Sequence, residues 1–124
     1  SAIKLPTQYM HTLWFTLRFV DSIQNEEIIN NLIKSEFLMA TEKMSSNKVF
    51  SFGRDHGYHG RLLSHGIVAE QSLHIKDNTL TGYCFTPQDG NALLSSVAGT
   101  IQYYYKDNWK EKMKLFNRYI FKNI

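Results

Sequence analysis

The sequence predicts an α+β domain: a mixed or antiparallel sheet of four to five strands with helices on one face. Three observations predict it. A long run near the amino terminus alternates apolar and mixed residues with period 2. Two later stretches carry apolar residues at helical spacings of 3 and 4. Between them, short apolar runs meet at an Asp-Asn pair, the mark of a hairpin. The resulting order, β-α-β-α-β-β-β-α-α, is too uneven for a strict βαβ repeat.

Met10 to Phe19 is the first strand. Leu13, Phe15, Leu17 and Phe19 form an apolar face, and Trp14, Thr16 and Arg18 a mixed one. A tryptophan on the mixed face suggests that this face is covered too. A helix follows, capped by Ser22 or Asn25, with Glu26 and Glu27 against its amino-terminal dipole and Ile28, Ile29, Leu32, Ile33 and Phe37 as its stripe. Phe37 to Ala40 is a short buried strand and Thr41 to Ser46 a loop. Ser46 or Asn47 opens a short helix through Val49, Phe50 and Phe52 that ends near Gly53. Gly53 to Gly60 is a glycine-punctuated loop. Strands are expected at Leu62–Val68, Ser72–Ile75 and Leu80–Phe85, the last two joined by Asp77-Asn78. From Asn91 the pattern is helical through Leu94, Val97 and Ile101. A last helix from about Asn108 aligns Trp109, Met113, Phe116 and Ile120, with Lys110, Lys112, Lys114 and Arg118 around the other side.

With 124 residues, no linker and only two prolines, the chain reads as one domain, residues 1–124, and leaves no room for a dinucleotide-binding domain beside it. Apolar residues make up 43% and charged ones 20%, a globular balance. No apolar run is long enough to span a membrane, and the opening residues lack the order of a signal peptide. A single cysteine, Cys84, permits no internal disulfide, so a cytoplasmic setting is expected. The net charge of +3 is mild, and neither nucleic acid nor membrane is expected as a partner.

Few residues carry chemistry by pattern. Gly53, Gly57 and Gly60 match neither GxGxxG nor GxxxxGK[ST] and follow a helix, so a helix-ending turn is the better reading. His56 and His59, beside Asp55, lack a second nearby pair, and His65 and His74 could join them only through the fold, so no metal site is expected. Cys84, between Tyr83 and Phe85, reads as a strand thiol rather than a nucleophile, and no catalytic residue is assigned. Tyr103-Tyr104-Tyr105 followed by lysines could stack on single strands. An amphipathic helix with a solvated lysine face is the better reading, and at least one of three consecutive tyrosines must be exposed.

One resemblance reaches further. Leu5-Pro6-Thr7-Gln8-Tyr9-Met10-His11-Thr12-Leu13 resembles the "PT–MH" strand entry in the catalytic domain of archaeal-type (class II) glyceraldehyde-3-phosphate dehydrogenases. Phe50 to Gly57 is similar to that family's "GRDLGR" turn, Val68 to Leu73 to its "VWEES" strand entry, and Pro87-Gln88-Asp89 to its "HQES" stretch. The motifs keep their order over about Ser1 to Val97. The departures are Tyr58 after Gly57, Ala69 for the tryptophan, and Pro87 for the histidine. The resemblance implies the catalytic-domain portion of an NAD- or NADP-dependent oxidoreductase of glycolysis, with the thiol nucleophile and histidine base upstream of the matched part. It implies that this chain supplies the supporting sheet and a homo-oligomeric interface through the sheet face, awaits the missing Rossmann domain, and binds no cofactor alone. Gln88 is the one cofactor-binding residue carried over, near the nicotinamide carboxamide. The alternative is a stand-alone oligomerisation domain of the same fold.

Overall fold

The computed structural model describes residues 2–3, 10–21, 25–35, 37–53, 55 and 66–119. Its strands are β1 (Ala2–Ile3), β2 (Met10–Arg18), β3 (Leu38–Thr41), β4 (Gly66–Ala69), β5 (His74–Lys76) and β6 (Thr79–Pro87). The helices are α1 (Asn25–Lys34), α2 (Ser46–Gly53), α3 (Gln88–Tyr105) and α4 (Trp109–Met113). All the strands form one mixed sheet in the order β1-β2-β6-β4-β3, with β5 also on β6. β3 and β4 are parallel, joined through α2; every other pairing is antiparallel. The α+β class with a mixed sheet is therefore what the chain adopts.

β6 organises the sheet. One edge pairs with β2 along its whole length, from Met10 opposite Pro87 to Arg18 opposite Thr79. The other edge is shared: β4 occupies the Cys84–Phe85 end, and β5 the Thr79–Thr81 end. Between β4 and β5 the chain leaves the ladder in a 3₁₀ turn, Glu70–Ser72. That departure would leave the Tyr83 amide without a strand partner. The Ser72 hydroxyl accepts from it at 2.8 Å and itself donates to the Ala69 carbonyl at 2.6 Å. A side chain thus replaces one rung, as the need to pair backbone donors requires.

The register sorts the side chains. Met10, Thr12, Met39, Ile67, Ala69 and Phe85 share one face. α2 lays Val49 into the same cluster, with Phe50 and Phe52 packed against it. Residues on the opposite face, Ala40, Val68 and Leu80, are buried as well. A second core joins α3 to α4: Leu94 and Met113, flanked by Val97, Ile101, Trp109 and Phe116. Phe37 leaves the α1 stripe for this cluster, its ring stacked 6.1 Å from that of Trp109.

Several boundaries differ from expectation, for local reasons. The strand expected at Ser72–Ile75 is instead the 3₁₀ turn followed by β5, because Ser72 serves the Tyr83 amide. Thr41 belongs to β3 rather than to a loop, fully buried, with its hydroxyl accepting from the Lys43 amide. α3 begins at Gln88, directly after β6, since Pro87 ends a strand and the next residues accept helical geometry without a linker. The last helix is short: α4 gives way at Lys114 to a 3₁₀ segment, Lys114–Tyr119. The Asp77-Asn78 turn forms as expected, with Asp77 at φ 55°, a conformation aspartate tolerates. Leu62 to His65 and most of the Gly53–Gly60 loop lie outside the described residues.

Candidate functional site

The centre of the sheet leads to one junction. β6 ends at Pro87, paired with the buried Met10, and α3 starts at Gln88 with no intervening loop. The backbone of residue 88 thus belongs to the first turn of a helix that begins where a strand ends. Gln88 is thereby positioned by its backbone; its side chain lies outside the described part.

Cys84 lies within β6, opposite Leu13 on β2 and Val68 on β4, and is half-buried. Burial raises its pKa, which keeps the thiol protonated and weakens it as a nucleophile. The expectation of a strand thiol holds. His74 is exposed on β5, and His56, His59 and His65 lie outside the described residues. Among the described residues no group of three His, Cys, Asp or Glu is placed to hold a metal ion.

What the sequence did not show is the pairing of two aromatics. Trp14 and Tyr83 are direct cross-strand partners. They sit where the cover by α2 ends, 40% and 36% exposed. Cover of the mixed face, suggested by Trp14, therefore extends over its Met10 end and thins at Trp14 itself. On the other face Leu17 is 48% exposed, so the apolar stripe of β2 is only partly buried. The alternation of each strand placed these residues on a face; only the register brings them together.

Hollows open among the described residues. One, about 680 Å³, is lined by Arg18, Phe19, Asp77, Asn78 and Thr79 at the hairpin end. Another, about 400 Å³, lies between α3 and α4 and is lined by Phe37, Ser95, Ala98, Gly99, Gln102 and Trp109. Beside it, all three tyrosines of the Tyr103–Tyr105 run are exposed, more than the sequence required.

No family model and no curated protein matches the chain. Among the described residues no helix is long and apolar enough to cross a membrane.

Proposed function

We propose that this chain is the catalytic-domain portion of a glyceraldehyde-3-phosphate dehydrogenase-like, NAD(P)-dependent oxidoreductase. In that role it supplies the supporting sheet and a subunit interface and does not catalyse alone. The observation that supports the reading is the β6–α3 junction, where the backbone of Pro87 and Gln88 passes from strand directly into helix. A glutamine amide both donates and accepts, which suits a nicotinamide carboxamide. The weakly nucleophilic Cys84 agrees with a nucleophile held elsewhere. The serine of the Val68–Leu73 motif has a structural task here, closing the ladder at Tyr83.

The reading frame upstream of Ser1 tests this directly. It should encode a strand followed by GxGxxG, and a cysteine nucleophile ahead of the Leu5–Leu13 run; a frame lacking both sinks the proposal. On the product of the whole frame, Gln88→Ala should weaken NAD(P) binding about tenfold by calorimetry, the loss of roughly one hydrogen-bonded pair. Unchanged affinity would remove Gln88 from the cofactor site.

A second reading, an oligomerisation domain without catalysis, is favoured by the open Trp14–Tyr83 pair at the middle of the sheet. Sedimentation velocity separates the two aspects: Trp14→Glu should shift an oligomer to monomer, and a wild-type chain that is already monomeric refutes the interface.

A further inference from the structure

The charge of this chain is not spread evenly. Residues 1–102 hold eight lysines and arginines against nine acids, whereas residues 103–124 hold six against two. The whole net charge of +3 therefore arises after Gln102, an asymmetry that whole-chain composition hides. Among the described residues, the same segment displays the most exposed aromatics. Tyr103, Tyr104 and Tyr105 are 78%, 73% and 51% exposed. Tyr103 and Tyr104 meet edge to face at 5.3 Å, a contact that holds their rings at right angles. The ammonium of Lys112 lies 5.3 Å from the Tyr105 ring centre, and that of Lys110 lies 5.9 Å from Trp109. Lys106, in a left-handed turn at φ 42°, redirects the chain so that α4 packs back against α3. That turn places the tyrosines at the end of α3 beside the lysines of α4.

We propose that the Tyr103–Lys112 surface binds single-stranded nucleic acid. Aromatic rings at the surface stack bases, and interleaved ammonium groups follow the phosphates. The groove between α3 and α4 adjoins this surface and seats one base. Phe37 and Trp109 line it with stacked rings, and Gln102 offers an amide that can donate and accept along a base edge. A Cβ built on Gly99 meets nothing within 4 Å, so the groove has free space over that position. Asp107 and Glu111 lie among the lysines, but Glu111 is bound by Lys114 at 2.6 Å, which leaves Lys106, Lys110 and Lys112 as the phosphate contacts. An anionic membrane is the less fitting partner. The apolar side chains Met113 and Phe116 turn into the core, so among the described residues the exposed face has tyrosines and one leucine, Leu115, to insert. Nothing here rests on the dehydrogenase reading, which concerns the opposite end of α3.

Anisotropy of a labelled twelve-nucleotide oligothymidylate or oligouridylate, titrated with the full chain, tests the proposal. Three phosphate contacts predict an affinity about 20-fold weaker at 200 mM than at 50 mM salt. Tyr103→Ala and Tyr104→Ala should each weaken binding about tenfold, and Tyr104→Trp should restore it. Gly99→Leu should also weaken binding by filling the groove, with helicity by circular dichroism unchanged. Lys76→Ala, far from the surface, should change nothing. No binding at 50 mM, no salt dependence, equal affinity in the tyrosine variants, or binding only to vesicles of mixed phosphatidylserine and phosphatidylcholine would each overturn it.

Discussion

Thr12→Val should stabilise the protein, although it removes a polar group from a strand. Thr12 is 8% exposed and lies opposite Phe85 on the face that packs against α2. Its Oγ1 is shielded from solvent and has no hydrogen-bond partner among the described residues. A buried hydroxyl left in that state costs about 1–3 kcal/mol. Valine has nearly the same shape, is equally β-branched, and leaves the backbone pairing with Phe85 intact. Its extra methyl gains about 0.8 kcal/mol on burial. Taking the low end of the hydroxyl penalty, the expected gain is about 1–2 kcal/mol. For a chain of this size each kcal/mol is about 4 °C in Tm. Urea unfolding, followed by tryptophan fluorescence, should show the midpoint rising by about 0.5–1 M with the slope unchanged. Thr12→Ser, which keeps the hydroxyl and loses the methyl, should lower it. An unchanged or lower midpoint for Thr12→Val, at an unchanged slope, would refute the reasoning, because it would mean that the hydroxyl is satisfied in solution.

Three further outcomes follow from neighbouring features. Gly82→Ala should destabilise by about 1 kcal/mol, since its Cβ would stand 2.8 Å from Leu73 Cδ2 and 3.0 Å from Phe15 Cζ; urea melts should show a smaller loss in a Leu73→Ala background. Gly99→Ala should stabilise by about 0.5–1 kcal/mol, because it sits inside α3 with room for a methyl and helix favours alanine; a lower Tm would contradict this. Cys84, its thiol pKa raised by burial, should react slowly with a disulfide reagent in the folded state, with the pH profile of the rate displaced upward from that of the denatured chain. Because the folded pKa is the higher one, its contribution to stability is complete below the unfolded pKa and declines as pH rises through the folded one, which alkaline urea melts would register.

Much of the architecture was legible because periodicity is a local property. The alternation of Leu13, Phe15 and Leu17 found β2, and Val49 with Phe50 found α2. What stayed hidden depends on partners. Ser72 looks like a strand residue until the Tyr83 amide is seen to need it. Phe37 fits the α1 stripe by spacing, yet Trp109, distant in sequence, gives it a better neighbour. The same holds for the candidate surfaces. Tyr103 to Tyr105 were visible as a run, but their joint exposure follows from the turn at Lys106, which no spacing rule anticipates. Gln88 was noticed through a motif; its place at the head of α3 required the helix to start earlier than its apolar stripe indicates.

The central position of β6 also fixes when this protein can fold during synthesis. β2 must wait for residues 79–87 before its long-range pairing with β6 exists, and β4 waits for the same strand for its antiparallel pairing. Among the described strands, β1–β2 and β5–β6 close locally; the longer ladder, β5–β6, is the natural first structure, and β2, β4 and β3 join it by closing long loops. Until then β2, with its aromatic and aliphatic side chains, has the two residues of β1 on one edge and its other edge open. A chain cut short before Thr79 would therefore keep the long edge of β2 open, an invitation to aggregate.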